Sequence, residues 1–450
     1  MAQRNRGRVS VPALAALSGS HNQAPGFAGG IDLMGSRLDK QTHLWVVSEL
    51  YYPETTSTGY FLTGIAEGLA SDYRVSVLCG QPSYIARGLR APAHEMRHGV
   101  EIWRCRATTL DKNRLLARIV NQITISASVF LQALLRLERG DTVLVVTNPP
   151  LLPYLLLALC RLRGAKCALI IHDVYPEVLT RVGMLNRYSL ATRVMSFASR
   201  KLYSGVDWIV ALGRDMKDLV KGKLNGVSKN ISIITNWGDT EKIRPEAREK
   251  NGLLGKLDLL DRFAVQYCGN IGRTHGIVDL LMVANELREE PDWHFLLIGW
   301  GAKKKWAAEQ KAALSLTNLT ILDPLPEDEL KDGLNACDVA IIAFARGMAG
   351  ISVPSRMYNV MASGKPLIAV CDSESELAIV VREEDIGWVV APGDIVALIA
   401  ALREARQNPV ALRKMGERAR CAAEKKYTLE CVLEKYREMI DGMSQEQDGR

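Results

Sequence analysis

No stretch of this 450-residue chain reaches the roughly 18–20 uninterrupted apolar residues that span a bilayer, which excludes a polytopic membrane protein. None of the nine cysteines, scattered between positions 79 and 431, forms a Cys-x-x-Cys pair. The odd count and wide spacing argue against a disulfide framework or a zinc site and point to a reducing, cytosolic compartment. A Walker loop is missing, and the first apolar strand is followed by Ser48-Glu-Leu-Tyr-Tyr-Pro53 in place of a dinucleotide fingerprint, so a nicotinamide-dependent dehydrogenase is a weak reading. Asp-x-Asp is also absent, and nothing in the sequence marks a metal site. With 48% hydrophobic residues and a mean hydropathy of −0.01, disorder as the dominant state and a fibrous architecture are excluded as well.

The net charge of +7 is unevenly placed. Between residues 84 and 139 stand ten Lys/Arg against four acids. No aromatic interleaving or nucleic-acid motif accompanies them, so no nucleic-acid partner is expected; a solvated basic surface and an anionic membrane leaflet both remain open. An apolar-rich helix between Leu115 and Leu137 is flanked by Lys112, Arg114, Arg118, Arg136 and Arg139, and the apolar run Pro149–Cys160 precedes Arg161 and Arg163. Basic flanks beside an apolar face suit interfacial binding; burial against a sheet is the other reading, above all for Pro149–Cys160. The first 41 residues, with Arg4, Arg6, Arg8 and a short apolar part broken by Ser10 and Pro12, read as a disordered extension more readily than as a targeting peptide.

From Leu44 onward short apolar strands alternate with helix-length segments, the pattern of a parallel, doubly wound α/β sheet. Strands are expected at Leu44–Val47, Arg74–Leu78, Val100–Arg104, Thr142–Val146, Cys167–Ile171 and Trp208–Ala211. The alternation stops across a charged stretch near 238–255 and restarts at Phe263–Tyr267, Trp293–Ile298, Leu319–Leu322, Val339–Ala343, Leu367–Val370 and Gly387–Val390. Two Rossmann-like domains facing across a cleft follow: 42–238 and 239–408, with a helical segment 409–450 whose last residues are polar. Ligands in such sheets bind at the carboxyl ends of the strands.

Three strand-end loops carry chemistry. Tyr267-Cys-Gly-Asn-Ile-Gly-Arg-Thr-His-Gly276 brings glycines, Arg273 and a helix start together, an arrangement for a diphosphate or an ordinary tight turn. Gly299-Trp-Gly-Ala-Lys-Lys-Lys305 adds a second glycine pair and three lysines, which either line the same pocket or face solvent. Gly347 to Pro366 enters a helix with Ser355, Arg356, Tyr358 and Asn359 in its first turns.

Taken in order, Tyr51-Tyr-Pro-Glu-x4-Gly59, Gly80-Gln-Pro-Ser-Tyr84, Thr147-Asn-Pro-Pro150, His172-Asp-Val-Tyr-Pro-Glu177, Asn236-Trp-Gly-Asp239, Tyr267-x-Gly-Asn-x-Gly272, Leu325-Pro-x-x-Glu-Leu330 and Val353–Pro366 make the chain resemble the retaining glycosyltransferases of family 4, of GT-B fold, and within them the bacterial colanic acid and O-antigen biosynthesis enzymes. The resemblance spans Leu44 to about Tyr436. It implies a nucleotide-sugar donor, UDP- or GDP-linked, in the second domain and a lipid-linked glycan acceptor, polyprenyl-diphosphate-linked, in the first, on the inner face of the plasma membrane, with no cofactor. By position it places Gly269, Asn270, Gly272, Arg273, His275, Gly299, Ser355, Arg356, Tyr358 and Asn359 at the donor, Leu325 near its base, and Glu54, Thr58 and Gly59 at the acceptor. It also returns the last helix to the first domain. Two departures stand out. Where many members carry two glutamates eight positions apart, this chain has Ile351 and Asn359, and where many have a lysine it has His275.

His172-Asp173 follows an apolar strand, where Asp173 would orient or deprotonate the acceptor hydroxyl and His172 position the sugar, or Asp173 would simply cap the next helix. No second carboxylate is placed as a nucleophile, so the leaving diphosphate is expected to take the acceptor proton on the same face while Arg273 stabilises its charge. A nucleotide-sugar 2-epimerase of the same architecture, and a non-catalytic scaffold, are the competing readings.

Overall fold

The structure, a computed structural model, describes residues 42–83, 89–110 and 114–448; the N-terminal extension expected over residues 1–41 lies outside them. Eight strands form the first sheet: β1 (His43–Val47), β2 (Arg74–Gly80), β3 (His94–Arg97), β4 (Val100–Cys105), β5 (Thr142–Val146), β6 (Lys166–Ile171), β7 (Trp208–Ala211) and β8 (Asn230–Ile233). Their order is β3-β4-β2-β1-β5-β6-β7-β8. Around them lie α1 (Ser57–Leu69), α2 (Leu115–Arg136), α3 (Leu152–Arg163), α4 (Glu177–Arg181), α5 (Leu190–Gly205) and α6 (Arg214–Leu224).

The central strands read as unbroken apolar runs because both faces are covered. Trp45, Val47, Val143, Val145, Leu169 and Ile171 enter one core with α2, α3 and α5. Leu44, Val46, Leu144, Val146, Ala168 and Ile170 enter another with α1. The expectation of a purely parallel sheet is corrected at one edge, where β3 pairs antiparallel with β4. Both β3, His94-Glu-Met-Arg97, and β8, Asn230-Ile-Ser-Ile233, escape the apolar pattern because an edge strand is only partly covered.

The second sheet is wholly parallel: β9 (Phe263–Asn270), β10 (Trp293–Trp300), β11 (Leu319–Leu322), β12 (Val339–Ala343), β13 (Leu367–Val370) and β14 (Gly387–Val390), in the order β11-β10-β9-β12-β13-β14. It carries α7 (Gly252–Lys256), α8 (Ile277–Glu286), α9 (Lys304–Ala313), α10 (Leu330–Asn335), α11 (Arg356–Ala362), α12 (Glu376–Glu383) and α13 (Ile395–Gln407).

The C-terminal segment is two helices, α14 (Pro409–Lys426) and α15 (Leu429–Asp448). Helix α14 packs on α11, where Gly416 abuts the Gly364 carbonyl so closely that a Cβ would stand 2.3 Å from that oxygen. The break at Tyr427 lets α15 turn onto α1, and Val432, Leu433, Tyr436 and Ile440 enter the first domain's core. The return of the chain to the first domain is therefore made by α15 alone.

Polar contacts also join the domains. Arg214 binds Glu376 at 3.0 Å and Glu383 at 2.6 Å, and the Asp215 carboxylate accepts from the amides of Gly350 (2.8 Å) and Glu376 (3.0 Å). Asp173 forms an antiparallel bridge with Ser352, and the Ser57 and Ser355 hydroxyls meet at 3.0 Å.

Candidate active site

In each sheet the chain winds outward in both directions from a central pair, β1 and β5 in the first and β9 and β12 in the second. The loops leaving such a pair part in opposite directions and open a crevice at the carboxyl ends. In the second sheet these loops are 271–276 and 344–355, stitched together by Gly276 N–H to the Ala343 carbonyl (3.2 Å) and Ala345 N–H to the Thr274 carbonyl (2.8 Å).

The centre of this crevice is Arg356, from the first turn of α11. Its Nη2 donates to the Asn270 carbonyl (3.2 Å) and to His275 Nε2 (2.7 Å), while its guanidinium stacks 4.6 Å from the Tyr267 ring centroid. A Cβ on Gly269, which has φ +133°, would stand 3.3 Å from the Arg356 Cζ. Arg356 Nη1 is buried with no hydrogen-bond partner. Buried polar groups are nearly always satisfied, so an orphan guanidinium N–H beside a glycine turn marks a place for an anionic acceptor atom.

His275, buried and stacked on Phe344 with ring centroids 5.3 Å apart, is held neutral. Burial first, then the positive charges of Arg356 and Lys303, push its pKa well below 6.5, so Nε2 can accept from Arg356. Lys303 donates from Nζ to the His275 carbonyl (2.7 Å), and burial lowers its pKa. Of the three consecutive lysines only this one reaches the crevice; Lys304 pairs with Asp323 and Lys305 with Glu309. Gly299 is where the two glycine loops touch: at φ +145°, its Cβ would stand 1.9 Å from the Gly269 carbonyl oxygen.

Other sequence candidates fall elsewhere. Arg273 is exposed, with no partner seen among the described residues, so the fixed cation at the glycine turn is Arg356. Tyr358 is fully buried against Tyr427, which corrects its placement at the donor: two residues, or roughly half a turn of helix, carry it to the opposite side from Arg356. Asn359 accepts the Asp239 amide (3.2 Å) and so holds the interdomain linker. Leu325 is half-buried over Gly333 of α10. Gly272 lies against His275, and Ser355 faces Ser57. The amides of Gly347 and Ala349 are already taken by the Asp372 carboxylate at 2.9 and 3.1 Å, and that of Gly350 by Asp215, so this loop offers fewer free N–H groups than its sequence suggests.

In the first sheet, Thr147 Oγ1 after β5 accepts from the amides of His172 (3.2 Å) and Asp173 (3.4 Å), fixing both at the seam with the second domain. Helix α4 starts at Glu177 behind Pro176, so Asp173 is not its cap. Burial raises the Asp173 pKa, opposed by a hydrogen bond from Ser352, and burial lowers that of His172 to about 4. Glu54 is buried and accepts the Ser83 amide; it braces a loop instead of lining the crevice surface. Gly59 abuts the Glu54 carbonyl, and Thr58 is half-buried beside it. Sequence reasoning missed Phe344 and Arg181, whose guanidinium lies over Gly347 from the other domain. Neither belongs to a recognisable motif. Among the described residues no group of three His, Cys, Asp or Glu converges as a metal site.

Outside the crevice, α2 buries Ile125, Val129 and Ala133 but exposes Leu116, Ile119, Ile123, Leu131 and Leu135. The sequence Leu116–Arg136 is long and apolar enough to cross a membrane, yet it packs on β2, β4 and α3. Helix α3, by contrast, buries Leu152, Leu156, Leu157, Leu159 and Cys160, which settles that apolar run as core. A second exposed apolar face, which sequence reading overlooked, is formed by Tyr188, Leu190, Val194 and Phe197 at the start of α5.

Both halves match known families: residues 58–237 match the glycosyl transferase 4-like domain and residues 256–422 the glycosyl transferases group 1. The chain is 34% identical over 330 residues to the probable glycosyltransferase WbjE of Pseudomonas aeruginosa, covering 72% of this chain and 80% of that one. It is 26% identical over 408 residues to WcaI of Escherichia coli, named as a colanic acid biosynthesis glycosyl transferase, covering 87% and 98% respectively. Among solved structures, sucrose-phosphate synthase from Thermosynechococcus elongatus superposes with a TM-score of 0.71 at 15% identity, over 90% of this chain and 99% of that one. Anabaena HepE, solved with UDP-glucose, gives 0.66 at 13%, over 89% and 100%. With two Rossmann-like sheets, their switch-point loops and these relatives in agreement, the chain belongs to the family 4-like, group 1 glycosyltransferases of GT-B fold.

Proposed function

We propose that the protein moves a sugar, with retention of configuration, from a UDP- or GDP-linked donor to a polyprenyl-diphosphate-linked glycan in bacterial cell-surface polysaccharide synthesis. The observation that carries the donor half is Arg356: a cation fixed against the Gly269–Asn270 turn, with one buried N–H left without an acceptor. A donor diphosphate oxygen supplies that acceptor, and the neutral His275 holds the guanidinium in place without competing for the anion. As the bond from the sugar's anomeric carbon to the diphosphate oxygen breaks, Arg356 stabilises the charge that develops on the leaving group. The acceptor hydroxyl attacks the same face of the anomeric carbon and passes its proton to the leaving diphosphate, with Asp173 orienting that hydroxyl. The name of WbjE supports glycosyl transfer, and that of WcaI the class of product.

The protein works at the cytoplasmic membrane surface. The exposed apolar residues of α2 and α5 are interspersed with Arg118, Arg136, Arg187, Arg193, Arg200 and Lys201, a combination that suits the headgroup region of an anionic leaflet.

The test is a thermal-shift screen against UDP-, GDP-, dTDP- and ADP-sugars, repeated with Arg356→Ala. A ligand of the native state raises the melting temperature. One nucleotide class should do so in the wild type and not in the variant. A folded protein that responds to none of them defeats the transferase reading. Consumption of the donor sugar only when acceptor is present separates transfer from epimerisation.

A further inference from the structure

A cavity of about 740 Å3 lies in the first domain beside the ends of β2 and β4. Gln81–Ser83 directly follow β2 and Arg106–Leu110 follow β4, and both strands run parallel to β1, so the cavity opens on the same side of the sheet as the crevice. Its charged wall is Arg90, Arg104 and Arg106; its apolar wall includes Leu89, Ala107 and Leu110. Arg104 is buried and its charge is met by Glu95 at 2.5 Å, while its Nη groups donate to the carbonyls of Pro92 (2.9 Å) and Tyr52 (2.8 Å). Its Nε is buried with no partner. Arg90 and Arg106 are exposed and pair with no acid among the described residues, so two positive charges remain uncompensated there.

Two connections give the cavity a context. On one side, the Ser83 amide donates to Glu54, in the same loop that brings Ser57 to Ser355 across the crevice. On the other, Asn121 of α2 clamps the strand-end segment: its Oδ1 accepts from the Thr108 hydroxyl (2.8 Å) and the Leu110 amide (3.0 Å), and its Nδ2 donates to the Leu110 carbonyl (2.9 Å). The exposed stripe Leu116, Ile119, Ile123 runs past this clamp on the same helix. A cationic, partly apolar cavity thus sits between the crevice and the surface that would face lipid.

We propose that this cavity binds the diphosphate of the lipid-linked acceptor. Arg90 and Arg106 pair with its oxygens, Arg104 Nε donates a further hydrogen bond, and Leu89 and Leu110 contact the first carbons of the tail, which leaves along α2 into the membrane. Guanidinium groups suit phosphate oxygens through paired N–H donors. The apolar wall is what a lipid diphosphate uses and a free one does not. The proposal rests on the transferase reading and names the acceptor subsite within it.

The experiment is flotation of the full-length protein with phosphatidylcholine vesicles carrying a few per cent of polyprenyl diphosphate, against vesicles of equal charge carrying phosphatidylglycerol, with inorganic pyrophosphate as soluble competitor. The wild type should prefer the diphosphate vesicles by about ten-fold. Arg90→Gln combined with Arg106→Gln should abolish the preference and leave the nucleotide-induced thermal shift intact, which shows that the double variant is folded and that its donor site is unaltered. Equal binding of the two vesicle types by the wild type overturns the proposal, as does a preference that survives in the double variant. Pyrophosphate abolishing the preference at the concentration of the lipid diphosphate overturns the assignment to lipid. Loss of the nucleotide shift in the wild type removes the transferase reading itself and this proposal with it.

Discussion

At the switch point of the second sheet the loop after β9 turns on glycine and main-chain hydrogen bonds, whereas the loop after β12, held by Asp372 and Asp215, and the loops of the first sheet lean on polar side chains as well. In the second, Ile271 N–H reaches the Trp300 carbonyl (2.7 Å), Lys303 N–H the Ile271 carbonyl (3.0 Å), and Gly299 and Gly269 touch with no room for a side chain. In the first, Ser48 Oγ caps the Leu50 amide (3.1 Å), Glu54 holds Ser83, and Thr147 holds His172 and Asp173. Main-chain loops present the same atoms whatever the neighbouring sequence, which suits the diphosphate proposed to bind there. A side-chain brace depends on the identity of one residue.

The strongest test of that contrast is Gly299→Ala. A methyl group at φ +145° and 1.9 Å from a carbonyl oxygen forces β9 and β10 apart, and a loss of about 3 kcal/mol or more in urea unfolding is expected. A loss below 1 kcal/mol would show that this loop yields as easily as a side-chain brace. Next is Arg214→Ala, which takes the guanidinium from the Glu376 carboxylate, 3% exposed at the domain seam, and leaves it the backbone amide of residue 214. Removing one partner of a buried pair costs about 3 kcal/mol, and Glu376→Gln in the same background should recover much of it.

Arg356→Ala against Arg273→Ala sharpens the donor side. The first should weaken nucleotide binding by about 2 kcal/mol, the scale of charge-assisted hydrogen bonds, and the second by far less; titration calorimetry reads both. Equal losses would return the exposed Arg273 to the site. The smallest effect is with pH. His172 and His294 are lowered to about 4, chiefly by burial, and His275 well below 6.5. The unfolded chain thus takes up these protons first, so stability is full above about pH 6.5 and declines as pH falls toward 4. A urea midpoint that stays level over that interval would contradict it.

Much of the architecture was legible because buried parallel strands demand apolar residues on both faces, and the central strands were located from that alone. The edge strands β3 and β8 were not, since partial cover leaves room for polar residues. The glycine loops announced a close backbone approach. Which arginine they approach was hidden: Arg273 lies inside the loop motif, while Arg356, some eighty residues on, arrives through α11. Tyr358 and Arg356 looked equivalent on paper, and only the helical turn separates core from crevice.

The order of apolar runs, turns and motif residues by itself determined that two doubly wound domains form and which strand ends carry chemistry, because hydrophobic periodicity and turn chemistry are local properties of the chain. Contacts between distant segments decided the rest: the Arg356–His275 pair, the burial of Glu54, the break between α14 and α15, and the unequal fates of the apolar runs in α2 and α3. Burial and charge pairing are set by what the folded chain brings alongside, and no local stretch contains that information.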